Sequence, residues 1–537
     1  MATPLEAKKF AEIAAGLPKR IHQIADRHVV KSPDRIALIE DGRAWTYRKL
    51  DRSVAELADA LRSLGIRAGD RMMIVSENCI ALAALLLAAS RIDAWAIVVN
   101  PRSSERGLDQ IRGHSGARRM FFTTDVSREA MAHASRYGAD NGSLGPLNGI
   151  GVTALDQDSI AELVETEAAY QVAVLIYTSG TTGSPKGVML THDNLLFGAK
   201  TTAQFRKIDA NDKLYVVQPI SHIGGLSQLI TTLMVGGTAR LVSKCDPAAL
   251  AKAIAEEGVT IINGPPATYQ RLLEYKDLAG IGRLERGSLR QITVAGAPLD
   301  LDLKIRVERE FDLPLSCGYS ITECSAGISG VLFDEPRSDH AAGTLLRGVE
   351  ARIRTIDGIP LGRGEVGELH VRGRNVMRGY YRAPDLTAEA IDSEGWFNTG
   401  NFARFDGDRL HIIGRTKEVI ICSGLNVYPA EVEAVLNSHK DVVQSAIVGR
   451  AIPGDEEIVA FVQMVRGAAA KPADLMDHAR RQLTSYKRPS EIIVLDALPV
   501  TSAGKILKQM LKESLLDVTH ESMGWPSPAQ PRTITLN

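Results

Sequence analysis

Cysteine, long apolar runs and an excess of either charge are scarce or missing in this chain. Five cysteines (Cys79, Cys245, Cys317, Cys324 and Cys422) are scattered over 537 residues with no metal-ligand spacing. That excludes a disulfide-stapled small fold and a zinc module, and it suits a reducing cytoplasm. Lys plus Arg total 63 against 64 Asp plus Glu, a balance that argues against a nucleic-acid binder. The most apolar stretch, 80–89, is followed by Arg91 and Asp93. It is too short to span a bilayer and predicts a buried helix. The first residues carry no secretory apolar core. Internal repeats and low-complexity tracts are missing too. So is the Gly-x-x-x-x-Gly-Lys-[Ser/Thr] pattern of a Walker phosphate loop.

What is present is an alternation of short Val/Ile-rich segments with longer amphipathic ones. Apolar residues recur at helical spacing over 51–64, Gly65 stops the pattern, and 71–75 reads as a strand. Asp246 is an expected N-cap, with Pro247 at the first position of a helix over 247–257; 260–262 follows as a strand. The alternation predicts an α/β architecture with largely parallel sheets. A Gly-rich stretch, 358–379, with short strands such as 368–372, predicts a small β subdomain. The length exceeds one ordinary core, so a second domain is expected. Helices over 430–437 and 473–482 and a strand over 442–448 lie beyond the expected boundary at Gly414-Arg415-Thr416-Lys417-Glu418. The Pro-rich tail, 521–537, reads as poorly ordered.

The run from Tyr177 to Val188 is the most informative segment. It packs Thr178, Ser179, Gly180, Thr181, Thr182, Gly183 and Lys186 into one loop after a short apolar strand, 172–176. Glycine allows close backbone approach, and N–H groups, hydroxyls and an ammonium together suit a nucleotide's phosphates. Further segments follow in order: Ala295-Gly296-Ala297-Pro298, Cys317-Gly318-Tyr319-Ser320-Ile321-Thr322-Glu323, Gly395-Trp396-Phe397-Asn398-Thr399-Gly400-Asn401, and Leu498 to Lys505. Together they resemble the signatures of the acyl-adenylate-forming superfamily, over most of the chain.

The resemblance implies a large N-terminal domain (1–413) of two α/β subdomains and a small β subdomain. A hinge (414–418) at Lys417 and a small mobile α+β domain (419–520) follow. It implies an ATP- and Mg2+-dependent ligase that makes an acyl-adenylate and then, with CoA as acceptor, a thioester. In that pattern the 178–186 loop holds the β- and γ-phosphates, with Lys186 balancing charge. Ala297, Pro298 and Cys317 border the adenine, Tyr319 stacks on it and Thr322 touches the α-phosphate. Glu323, with Thr182, holds magnesium; Asn401 and Arg415 meet the ribose. Lys505 is the implied adenylation lysine, a flexible three-donor cation suited to bridging carboxylate and phosphate. His222 is implied to line and gate the acid pocket, alongside Gly224, Gly225, Gln228, Gly296, Gly318 and Ser325. Cys422, Ser423 and Gly424 are implied to line the acceptor channel.

Three residues depart from the pattern around the nucleotide: Asn401 for Asp, Ser320 for Gly, and Cys317 for Asn or Gln. Asn offers one neutral acceptor where a carboxylate is charge-assisted, which could cost about 1–2 kcal/mol of binding. Ile421 and Cys422 stand where relatives carry cations, which weakens the case for CoA and leaves an amine acceptor, hence an amide-forming ligase, as an alternative. A nucleotide-binding inactive paralogue is a second alternative; retention of Lys505, Thr322 and Glu323 argues against it. The small residue at Gly224 predicts room for an aromatic or medium-chain acid held mainly by apolar contact.

Overall fold

The computed structural model describes residues 16–178, 185–297, 299–332, 335, 339, 341–422, 425–453, 455–465, 467–500 and 506–517. They cluster into two compact units, one through Ile413 and one from Gly414 onward.

Local signals in the sequence place the first elements. The helix Tyr47–Ser63 starts where Thr46 accepts a hydrogen bond from the Lys49 N–H and ends at Gly65. Gly65 sits at φ +82°, and the Ile66 N–H closes back on the Leu61 carbonyl; only glycine takes that geometry cheaply. The Asp246 carboxylate caps the helix Pro247–Glu256 through the Ala249 N–H at 2.7 Å. Ile80–Arg91 is the buried helix expected from its composition: Leu82, Leu85, Leu86 and Leu87 are at most 2% exposed. Each such leucine contributes about 1.5–3 kcal/mol of burial. Among the described residues no helix is long and apolar enough to cross a membrane.

Two sheets build the larger unit. In the eight-stranded sheet, Val172–Thr178, Trp95–Val99, Arg71–Val75 and Arg119–Thr123 run parallel side by side. These strands are buried on both faces, as parallel strands between helices are. One edge is finished by Lys186–Thr191 and then by the short strand Gly379–Tyr380, contributed from far along the chain. In the thirteen-stranded sheet six parallel strands, from Ile36–Glu40 to Leu315–Ile321, are continued by antiparallel ones. The Gly-rich stretch supplies one of these, Gly367–Gly373, paired with Val349–Arg354 and Phe397–Asp406. One apolar core takes in side chains from both sheets and from the helices Ile80–Arg91 and Ile223–Val235. His22 is half-buried near this core with its Nδ1 3.0 Å from the Ser90 hydroxyl; loss of solvation, aided by Arg91, lowers its pKa to about 4.

The second unit is a three-stranded sheet, Val442–Ile452, Asp455–Met464 and Glu491–Leu495, with helices Pro429–Asn437 and Pro472–Gln482 on its core. Lys508, on the helix Lys508–Asp517, reaches Glu418 at 2.9 Å and Glu433 at 2.8 Å. Burial alone would lower its pKa; the two carboxylates outweigh it and raise it.

Candidate active site

Strands Val172–Thr178 and Lys186–Thr191 form an antiparallel hairpin in which Thr178 faces Lys186. The Gly/Ser/Thr loop is the connection between them. Ser179, Gly180, Thr181, Thr182 and Gly183, with Pro298, Ser423, Gly424 and Lys505, lie outside the described residues, as does the tail.

Three segments distant in sequence meet beside this hairpin. The Lys186 ammonium stands 5.1 Å from the centre of the Tyr380 ring. The Tyr380 hydroxyl donates to the Glu323 carboxylate at 3.2 Å. Glu323 sits in a short 3-10 turn, Thr322–Cys324, right after the strand Leu315–Ile321. Its backbone carbonyl accepts from the Met377 N–H at 2.8 Å, which holds the 377–380 segment against it. The same segment is anchored from the other side. Thr191 and Asn194 cap the helix His192–Phe205 reciprocally, and the Asn194 amide also donates to the Arg374 and Val376 carbonyls. Arg374 pairs with Asp193 on the same turn. Burial, then the Glu323 charge, pushes the Tyr380 pKa far up, so its proton stays on the donated bond. Tyr380 was not foreseen. The signal was available as two adjacent tyrosines after a glycine, but nothing local says which turn they face.

The arrangement fits a magnesium–nucleotide site. Among the described residues no cluster of three or more His, Cys, Asp or Glu could hold a metal by itself. Magnesium bound beside substrate phosphates needs only one or two protein carboxylates, and Glu323 supplies one.

Asn401 lies in the strand Phe397–Asp406, just after Gly400 at φ +66°. Its side-chain N–H donates to the Thr399 carbonyl at 2.8 Å. An aspartate could not make that bond. The amide oxygen keeps its acceptor lone pairs. Arg415 belongs to the second unit, about half exposed and 3.6 Å from Glu418; Lys417 is exposed in the 3-10 turn Thr416–Glu418. Cys422 ends the strand Ile420–Cys422, and Ile421 beside it is 53% exposed.

A cavity opens beside Tyr319, walled by Gln218, Gly224, Gln228, Gly318 and Ser329, with Arg206 and Phe205 from the helix before. Its free space is about 60 Å3. Of the expected acid-pocket residues, Gly224, Gln228 and Gly318 line it; His222, Gly225, Gly296 and Ser325 do not. His222 is the residue from which the helix Ile223–Val235 starts, its N–H bonded to the Pro219 carbonyl; burial lowers its pKa, so the ring is neutral at pH 7. A Cβ at Gly225 would lie 2.3 Å from the Pro219 carbonyl oxygen, so this glycine serves close packing. Gly296 turns the chain at φ +90° after the strand Gln291–Val294. Ser325 is 1% exposed and ends the 3-10 turn in left-handed backbone.

One expectation needs correcting. Gly224 does not leave open room: a Cβ there would lie 2.1 Å from the Gln218 Oε1, so the Gln218 amide fills the space. That amide accepts from Gln228 Nε2 at 3.0 Å. The Cys317 side chain is not part of this cavity's wall. Strand parity turns it into the core with Val294 and Leu315, and burial pushes the thiol up to about 11.

Arg206 was not foreseen either. It follows the last turn of His192–Phe205, and its Nη2 lies where a Cβ at Gly318 would be only 3.1 Å away. Ala297 follows the Gly296 turn, outside the cavity wall.

Compared with known proteins, residues 25–381 match the model of the AMP-binding enzyme family, and residues 431–505 that of the AMP-binding enzyme C-terminal domain. A feruloyl-CoA synthase from Amycolatopsis sp is 33% identical over 90% of this chain and 96% of its own. Among solved structures, the o-succinylbenzoate coenzyme A synthetase MenE from Bacillus subtilis, in complex with ATP and magnesium ion, superposes with a TM-score of 0.78. It is 27% identical, over 91% of this chain and 99% of that one. The amide bond synthetase McbA from Marinactinospora thermotolerans gives 0.79 at 28% identity, over 92% and 99%.

Proposed function

We propose, from the premise that the chain belongs to the AMP-binding enzyme family, that it converts an aromatic carboxylic acid to its CoA thioester. It is an ATP-dependent, AMP-forming acyl-CoA synthetase, working through an acyl-adenylate. The observation that carries the site assignment is the meeting of Lys186, Tyr380 and Glu323 beside the Gly/Ser/Thr hairpin.

In this reading the acid enters beside Gly318 and Tyr319 and attacks the α-phosphorus of ATP. Loop 178–186 and Lys186 hold the departing pyrophosphate, and Tyr380 keeps the Glu323 carboxylate oriented. Magnesium, when bound there, neutralises charge on the phosphate oxygens. Thr322 touches the α-phosphate, and Lys505 balances charge between acid and phosphate in the first step. Asn401 and Arg415 serve the ribose, and the 414–418 segment acts as the hinge that exchanges Lys505 for an open acceptor channel at 422–424. A cytoplasmic location completes the reading, supported by five free cysteines.

The deciding experiment is pyrophosphate release with ATP, Mg2+ and CoA across aryl, cinnamic and medium-chain acids, with product identified by mass. Thioester formation that Lys505→Ala reduces at least about 100-fold, while a preformed acyl-adenylate is still converted, is the expected result. Turnover with an amine and none with CoA would replace the thioester reading by amide synthesis, for which the exposed Ile421 in a cation-poor loop speaks.

A further inference from the structure

The cavity wall holds a cation that no described residue answers. Arg206 reaches the backbone of Gly318, and among the described residues no carboxylate pairs with it. No other described side chain bonds to it either: Phe205, Leu214 and Ile261 on the same cavity wall are apolar, and Gln218 and Gln228 bond to each other. Elsewhere in the large unit guanidinium groups are met. Arg71 gives its donors to four backbone carbonyls, and Arg118 faces Asp70 at 3.1 Å.

The same wall carries side-chain hydroxyls with no hydrogen-bond partner, Thr231 Oγ1 and Ser329 Oγ, on residues 1% and 3% exposed. Gln228 Oε1, on a residue 5% exposed, is unpartnered as well. Unmade hydrogen bonds of this depth are costly, and several around one cavity form a set that a polar ligand placed there would complete. An arginine and two hydroxyl donors make a site for an anion. Loss of solvation lowers Arg206 only to about 10, so it is charged at neutral pH.

The reacting carboxylate does not account for this cation. In the reading above, that group lies at the phosphate end with Lys505 and Thr322, and it gives up its charge when the adenylate forms. We infer that Arg206 binds a second anionic group, a carboxylate or sulfonate, at the far end of the acid, so that the preferred substrate is a diacid. This rests on the acid-ligase reading and specifies its substrate.

The test compares cinnamate, 4-carboxycinnamate and the neutral 4-carbamoylcinnamate, on wild type and Arg206→Gln, by pyrophosphate release with CoA. Wild type is expected to favour the diacid over both neutral-tailed acids by at least about tenfold in kcat/KM. Arg206→Gln should lower the diacid's kcat/KM about 10–100-fold, mostly through KM, and leave cinnamate within about threefold. Arg206→Lys should restore part of it. A wild-type preference for cinnamate overturns the inference without any variant. Equal loss for all three acids also overturns it, because Arg206 would then serve the reacting carboxylate or the fold. If no acid is turned over, the ligase reading fails separately. Calorimetric titration of 4-carboxycinnamate into AMP-saturated wild type and Arg206→Gln then decides the arginine's role: equal affinity overturns it, and tighter binding to wild type supports it.

Discussion

Two inward-facing cations, one in each unit, meet opposite fates. Lys508 lies between Glu418 and Glu433 at hydrogen-bond distance and is answered twice. Arg206 lines a cavity with no carboxylate among the described residues. A cation removed from water is unfavourable until something of opposite charge meets it. Where the chain supplies the partner, the charge belongs to the architecture. Where it does not, the charge waits for something that arrives from solution. His22 shows a third solution, giving up its proton.

The comparison breaks first at Lys508. Lys508→Met strands two carboxylates and should destabilise the second unit by about 3–5 kcal/mol, read as a lowered denaturant midpoint. A change below about 1 kcal/mol would mean the triad is ornamental. The histidine comes next. Its folded pKa, about 4, lies below the ordinary 6.5, so its contribution is present above pH 6.5 and is lost as pH falls through 4. We expect a loss of about 2–3 kcal/mol over that window, diminished in His22→Gln. Arg206→Leu should go the other way: unfolding free energy without substrate stays level or rises by up to about 1 kcal/mol, since a desolvated charge is removed. A fall of about 3 kcal/mol in the melt would show that Arg206 is structural after all.

Smaller effects are expected where the site is already paired. Tyr380→Phe removes one hydrogen bond from Glu323 and should raise the KM for Mg·ATP about threefold to tenfold, with folding intact. Asn401→Asp adds a charge-assisted acceptor for ribose but turns an acceptor towards the Thr399 carbonyl; ATP KM should fall by about threefold at most. A rise instead would mean that the bond to Thr399 matters more than the ribose contact.

Much of this was legible in one dimension. The Asp246 cap, the Gly65 stop, the buried strand 71–75 and the hairpin flanking the Gly/Ser/Thr loop are local events, governed by residues within a few positions of each other. Glu323 and Lys186 could be named because each sits in a recognisable run. Tyr380 and Arg206 could not, because their importance lies in which distant segment they face. Gly224 shows the converse hazard. Its small size suggested space, and only the fold reveals that Gln218 occupies it.

The strand Gly379–Tyr380 has a consequence for how the chain is made. Every other strand of its sheet is complete by Thr191, so the sheet's edge on Lys186–Thr191 stays open until a segment about 190 residues later leaves the ribosome, roughly 10–40 s of synthesis. During that interval the nascent protein presents bare backbone donors and acceptors on the strand that bears Lys186. The closing of the nucleotide site and the covering of that edge are then one event, since the residue that buttresses Glu323 is also the one that seals the sheet.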